Sequence, residues 1–434
     1  MSRILVSVTP APGHVNPMLL IAEDLAKRGH EVTFNTGEVF REKAEAAGLS
    51  FVPLQGIANF DFHRLDEVFP ERKTFPGIQQ VDYDMKHIFG DMIPDQYRGM
   101  QEIIDQQNID LVLVDLLFLG SFPLLMKPKE SRPPVISCGI IVYWLRTPET
   151  SPFTGPDSTP EGLIRNAEHN RQLGEALAGS TAYVDEILKP FGATDSVGLL
   201  FDATCTRPEV FLEYSAEEFE YPIKNKQKNL HFVGPLTPKV QGGAEEPDWL
   251  KEIDGSKPVI LVTQGTISNS DFNQIVNPAI QALADADVQV IVTAGGGDVS
   301  TIHSSPNARV ERYVSYHHVL PKADIFITNG GYNGVQQALS FGVPVISGGT
   351  TEDKPFVSAR VAWSGGGINL HTGTPTAEQI RAAVYEILAD RKYRDRAKEL
   401  AKSFAKYDSL ATTSKIVEST IAESTKEAVS LIGS

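Results

Sequence analysis

The chain has 434 residues, 41% hydrophobic and 22% charged, an ordinary globular composition for more than one hydrophobic core. Its 39 Lys and Arg against 55 Asp and Glu give a formal net charge of −16. That balance excludes a basic nucleic-acid surface and leaves any anionic ligand to be held by local dipoles and donors.

Only two cysteines, Cys138 and Cys205, are present, which excludes a disulfide framework and a thiolate metal site. No apolar run approaches the roughly 20 residues of a spanning helix. MSRILVSVTP lacks a basic n-region and a small-residue cleavage site, so it reads as a first strand rather than a leader. A cytoplasmic location is the expectation.

In chain order, RILVSVTP (3–10) reads as a strand, MLLIAEDLAKRG (18–29) as an amphipathic helix and EVTFNTG (31–37) as a second strand. FREKAEAAG (40–48) reads as a short helix and SFVPL (50–54) as a third strand. Residues 59–107 read as irregular and aromatic, after which DLVLVD (110–115) and PVISCGI (134–140) resume the sheet. Residues 148–160 carry four prolines and read as a loop, and 231–258 as a Pro-, Gly- and charge-rich connection. The alternation then restarts with PVILVTQG, a helix through about 272–286, VQVIVTAGGG, ARVERYV, ADIFITNGG and VPVISGG. Continuous apolar strands alternating with helices predict buried parallel sheets. The expected architecture is α/β with two such domains facing across a cleft. Residues 1–234 form the first domain, 235–257 a linker, 258–405 the second, and 406–434 a helical segment able to pack back on the first.

The stretch FITNGGYNGVQQAL carries the strongest local signal. Asn329-Gly330-Gly331 stands at the end of a strand and Asn333-Gly334 opens a helix. Glycines allow close backbone approach, and a helix start offers unpaired N–H groups and the positive end of a dipole, which together suit a phosphate. A plain tight turn with Asn as helix cap fits the same residues. Upstream, Tyr313-Val314 could stack on a base. Downstream, Gly348-Gly349-Thr350-Thr351-Glu352-Asp353-Lys354 suits sugar hydroxyls, and Gln264-Gly265-Thr266 ends the first strand of this half.

Tyr313 to Lys354, with NGGYNGVQQAL and EDKPFVSARVAWSGGGINL, resembles the donor-binding signature of the inverting UDP-glycosyltransferases, a family of two Rossmann-like domains (GT-B architecture). TPAPGHVNPMLLIAEDLAKRGHEVTF resembles that family's acceptor-domain opening. The resemblance implies His14 as general base and Asp115 as the carboxylate that orients it. It places Tyr313 on uracil, the Val314 backbone at the base edge and Gln337 at the ribose. Gly13, Thr266, Asn329, Gly331, Asn333 and Gly334 fall near the phosphates, and Glu352, Asp353 and Lys354 at the sugar. It also implies a UDP-sugar as co-substrate, with neither cofactor nor metal. Two positions depart from the common pattern: asparagine stands at 329 where histidine is frequent, and lysine at 354 where glutamine is frequent.

Of 21 phenylalanines, 16 lie in residues 1–235. Phe62, Phe89, Phe118, Tyr143 and Trp144 are candidates for an apolar acceptor pocket, although core packing claims many aromatics. The expected function is transfer of a sugar, glucose by preference, to a hydroxyl of a small lipophilic acceptor, by a monomer or weak dimer. The alternatives are a non-catalytic sugar-nucleotide or lipid-binding relative and a nucleotide-sugar epimerase or hydrolase on the same fold.

Overall fold

The computed structural model describes residues 1–151, 155–236, 246–266 and 271–432, with side chains described to residue 426. The first half supplies β1 (Arg3–Ser7), β2 (Glu31–Thr36), β3 (Ser50–Pro53), β4 (Leu111–Asp115) and β5 (Val135–Gly139). A hairpin of β6 (Thr150–Ser151) and β7 (Gly155–Pro156) follows, then β8 (Val210–Glu213) and β9 (Leu230–Phe232). The second half supplies β10 (Val259–Thr263), β11 (Gln289–Thr293), β12 (Ala308–Glu311), β13 (Ile325–Thr328), β14 (Val345–Ser347) and β15 (Gly367–Asn369).

The strands form two sheets, ordered β3-β2-β1-β4-β5-β8-β9 and β12-β11-β10-β13-β14-β15. Both are parallel, with Val6 opposite Phe34 and Leu113 in one, and Val262 opposite Val292 and Ile327 in the other. The physical cause is in the strands: LVLVD and VILVT are buried at every position, so both faces need helix cover. Each strand order reverses direction once, between β1 and β4 and between β10 and β13. Loops leave those neighbouring strand ends in opposite directions and open a crevice there.

Three expectations need correction. Residues 78–107 are largely helical, through Ile78–Asp84, a π-turn at Met85–Gly90 and Ile93–Gln107. The last of these hides its periodicity behind polar residues, because it buries Gln96 and Gly99 beside Ile93, Met100 and Ile103. The first helix begins at Pro12, not near Met18, because proline at the first helical position needs no N–H partner. The connecting region holds β9, which joins the first sheet in register with β8 (Phe211 opposite Leu230). Residues 237–245 of the expected linker, 152–154 of the proline loop and 433–434 lie outside the described residues.

The helix Ser409–Ile432 packs on the first domain. Val417 joins the core around Val6 and Ile136, and the Thr413 and Tyr214 hydroxyls meet at 2.9 Å. Among the described residues no helix is long and apolar enough to cross a membrane.

Candidate active site

The first half of the site grows from β1 and β4, the strands at the first reversal. The chain turns through Thr9–Ala11 and enters the helix Pro12–Lys27. His14 is therefore the third residue of a helix rather than a loop residue, which fixes its backbone. Its Nδ1 lies 2.7 Å from Asp115 Oδ1, the last residue of β4. Asp115 is fully buried, and it accepts from Thr9 N at 2.6 Å through Oδ2 and from Leu117 N at 3.0 Å through Oδ1. A carboxylate can only accept, so the Nδ1 of His14 carries the proton and Nε2 is left with its lone pair. The His14 side chain keeps 12% exposure, enough to meet a ligand. Gly13 beside it is exposed.

The second half grows from β10, β13 and β14. Gly331 is the N-cap residue of the helix Tyr332–Ser340 and no side chain caps that end. Asn333 and Gly334 lie in its first turn, so their N–H groups meet no capping side chain. Gly330 has φ +91°, and a Cβ there would sit 2.8 Å from Ser347 Oγ and 2.9 Å from Ser358 Oγ. No other residue fits that corner without displacing both hydroxyls. Asn329 is 6% exposed, and its Nδ2 donates to the Gln264 carbonyl at 2.6 Å. Its amide therefore ties the end of β13 to the end of β10 and leaves one N–H uncommitted. Thr266 is exposed just beyond Gly265.

Tyr313 is 71% exposed after β12, its ring open to a stacking partner. The Val314 N–H is already committed to Thr293 Oγ1 at 3.3 Å, so a base edge would meet its carbonyl or compete for that donor. Gln337 is half-buried on the second turn of the Tyr332–Ser340 helix.

After β14 the chain reaches Glu352, which holds φ +56°. A non-glycine residue in that region is strained by about 1–3 kcal/mol, a cost that clusters at ligand sites. Lys354 is buried and bonds Glu352, with Thr351 Oγ1 at 3.3 Å. Burial pushes the Asp353 carboxyl up to about 6, with Lys354 opposing and Glu352 reinforcing. Burial also raises Glu352, but Lys354, Arg72 and His14 together bring it below the usual carboxylate range.

The aromatic candidates divide. Phe62 is half-buried and stacks on Phe60 with centroids 4.6 Å apart, and Phe69 meets Phe60 edge-on at 5.5 Å. Phe89 is half-buried where two core clusters meet. Phe118 is 1% exposed and belongs to the core, which corrects its assignment to a pocket wall. Tyr143 and Trp144 sit near the seam between the domains: Trp144 stacks on Phe201 at 4.4 Å and meets Phe356 at 4.3 Å, and Tyr143 tilts against Phe211 at 5.7 Å. Both also line a small cavity with Val142, Tyr221 and Arg360.

Residues 4–91 match the glycosyltransferase family 28 N-terminal domain. Residues 277–419 match the Erythromycin biosynthesis protein CIII-like C-terminal domain. The chain is 35% identical to UDP-glycosyltransferase 2 of Phaeomoniella chlamydospora over 94% of its own length and 93% of that protein's. It is 33% identical to UDP-glucosyltransferase B1 of Starmerella bombicola, with 97% and 98% of the two chains covered. This chain belongs to the UDP-glycosyltransferases.

Among solved structures, the calicheamicin glycosyltransferase superposes with a TM-score of 0.73 at 19% identity, covering 97% of this chain and 98% of that one. That likeness speaks for the GT-B fold. As a UDP-glycosyltransferase the protein transfers a glycosyl group from a nucleotide sugar.

Sequence reasoning missed the supports of this UDP-glycosyltransferase site. Gln264 is 1% exposed, and its Oε1 accepts from Ile275 N and Val276 N at 3.0 Å each, capping the helix Val276–Leu283. Gly295, which reads as a solvent turn, comes backbone to backbone with Gly265; a Cβ there would sit 2.0 Å from the Gly265 oxygen. The buried acid Glu213 gave no signal either, since an apolar strand ending in Glu reads as ending in solvent.

Proposed function

We propose that the protein is an inverting glucosyltransferase that moves glucose from UDP-glucose to a hydroxyl of a small lipophilic acceptor, with His14 as general base. The observation that carries the reading is the His14–Asp115 pair. A buried carboxylate 2.7 Å from Nδ1 leaves Nε2 free to take the acceptor proton and stabilises the imidazolium that results. The acceptor oxygen then attacks the anomeric carbon and the C–O bond to UDP breaks. Negative charge develops on the leaving diphosphate, where the uncapped start of the Tyr332–Ser340 helix presents N–H groups and about half a positive charge. This needs no metal to balance charge.

Glucose is favoured by the names of several relatives, including UDP-glucosyltransferase B1 of Starmerella bombicola and UDP-glucosyltransferase 1 of Beauveria bassiana. A lipophilic acceptor is favoured by the Phe60, Phe62 and Phe69 cluster and by Phe75, which is 38% exposed and stacks on Tyr83 at 5.2 Å.

The test is a mass-spectrometric screen of nucleotide sugars against phenols, sterols and hydroxylated lipids, followed by His14→Ala. Turnover should fall by roughly 10²–10⁴ while UDP affinity holds. An α-linked product from UDP-α-glucose would refute direct displacement, and unchanged turnover in His14→Ala would refute the base.

A further inference from the structure

The first turn of the Tyr332–Ser340 helix is tied to the opposite domain. The Tyr332 hydroxyl crosses the seam and lies 2.8 Å from Glu213 Oε1 and 2.7 Å from Glu220 Oε1. Arg360 Nε donates to Glu220 Oε2 at 2.5 Å, and its Nη2 donates to the Tyr143 carbonyl at 2.8 Å. One helical turn on, Gln336 Nε2 donates to the Tyr214 carbonyl at 3.1 Å. Glu213 and Glu220 are 0% and 1% exposed, so water does not relieve them.

Counting protons resolves the cluster. A phenol has one hydrogen and can donate to one of the two carboxyls. Glu220 faces a guanidinium and is the carboxylate, so it receives the phenol hydrogen as well. The 2.8 Å pair of Glu213 Oε1 and the Tyr332 oxygen then needs a hydrogen from Glu213. Without one, two lone-pair oxygens would face each other in a dry seam.

Further observations agree. Among the described residues Glu213 Oε2 has no hydrogen-bond partner, which a buried carboxylate tolerates far less than a neutral carboxyl. The titratable and charged groups around Glu213 are Glu220, Tyr332, Arg360, Tyr143 and Cys205. Burial first, and the Glu220 charge second, hold Glu213 well above the carboxylate range. The space was made for this side chain: a Cβ on Gly139 would sit 2.3 Å from Glu213 Oε2.

We infer that Glu213 is a carboxylic acid in the folded protein and that the relay Glu213–Tyr332–Glu220–Arg360 is a positioning device. It holds the first turn of the Tyr332–Ser340 helix, and so the diphosphate cradle, in register with the acceptor domain. The inference rests on the reading of that turn as the cradle. Tyr332 and Glu213 touch no reacting atom; they act through Gly331, Asn333 and Gly334.

The test measures UDP binding by calorimetry on the full-length protein beside thermal melting. Tyr332→Phe should weaken UDP by about five- to tenfold, the loss of one buried hydrogen bond transmitted to the cradle. Glu213→Gln keeps a neutral donor and should hold parental affinity, whereas Glu213→Leu should lose it. Glu220→Gln strips Arg360 of its counter-charge and should lower the melting temperature most. The infrared difference between parent and Glu213→Gln at pH 7 should contain a protonated-carboxyl stretch.

Gly331→Val is the control. A Cβ there meets nothing nearer than Asn329 Oδ1 at 4.0 Å, so the added side chain enters the space in front of the helix start. If Gly331→Val weakens UDP but a folded Tyr332→Phe does not, the positioning role is overturned. If neither weakens UDP, the cradle reading fails and the positioning role falls with it. A missing carboxyl band, or a Glu213→Gln as damaged as Glu213→Leu, overturns the acid assignment.

Discussion

Asp115→Asn preserves the shape of the buried carboxylate and replaces one oxygen by NH₂, so it isolates what the charge and the second acceptor do. In the native site the oxygens serve donors on two sides: Thr9 N at 2.6 Å on one, His14 Nδ1 at 2.7 Å and Leu117 N at 3.0 Å on the other. An amide has one oxygen for these two sides. If it stays toward His14, the NH₂ confronts the Thr9 N–H and a buried donor is left unpaired, at about 1–3 kcal/mol of stability. If it flips, the NH₂ confronts Leu117 N–H and donates to His14 Nδ1. The histidine proton then moves to Nε2, the nitrogen that must accept. Either orientation also removes the charge that stabilises the imidazolium.

The expected loss in kcat/KM is therefore roughly 10²–10⁴, with UDP affinity unchanged because the variant lies outside the donor half. Initial rates by chromatography, with UDP calorimetry and a melting curve, measure all of these quantities. A folded Asp115→Asn protein that loses less than about threefold in kcat/KM, under about 0.7 kcal/mol of barrier, would refute the orienting role.

Asn329→Ala removes the hydrogen bond that ties the ends of β10 and β13 and should cost about 1 kcal/mol of stability, read by thermal melting. A protein that melts as the parent does but binds UDP more weakly would make Asn329 a ligand contact instead. Under the proposed mechanism, in which the helix start meets the diphosphate charge, glycosyl transfer should survive EDTA; activity lost to EDTA and restored by Mg²⁺ would count against that mechanism. Asp353, pushed up to about 6 by burial, keeps in the folded state a proton that the unfolded chain releases near ~3.9. Stability should therefore fall as pH rises from about 4 to about 6, and Asp353→Asn should flatten that slope when melting is followed against pH.

The architecture was legible because its strands are unbroken apolar runs. LVLVD and VILVT need cover on both faces, and that requirement alone selects parallel sheets with helices around them. That His14 and Asp115 would meet was legible for a related reason: His14 follows β1 and Asp115 ends β4, and neighbouring strand ends at a reversal are where such sheets open. The helix Ile93–Gln107 was not legible, because Gln96 is fully buried yet reads as a surface residue. Gln96 Oε1 accepts from Gly120 N at 2.9 Å, a contact that sequence periodicity cannot express. Phe118 failed in the opposite sense, since its one-letter neighbourhood LLFLG suits a pocket wall and a core equally.

A site divided between two domains must be aligned by whatever joins them, and here the joining residues cluster in one short segment that begins at the last residue of β8. Glu213 and Glu220 receive the donor domain through Tyr332 and Arg360, and the Tyr214 carbonyl receives it through Gln336. The Tyr214 hydroxyl meets Thr413 on the returning C-terminal helix at 2.9 Å, so the same segment also anchors that helix. Buried polar groups make poor glue by strength alone, because desolvation offsets much of their attraction. They do impose geometry: an apolar seam can slide by an ångström at little cost, whereas a relay of donors and acceptors is satisfied in one register. That is the property the proposed reaction requires, with His14 on one domain and the donor-side residues on the other. It explains why ionisable residues occupy a seam that Phe219, Val142 and Phe356 could have filled without them.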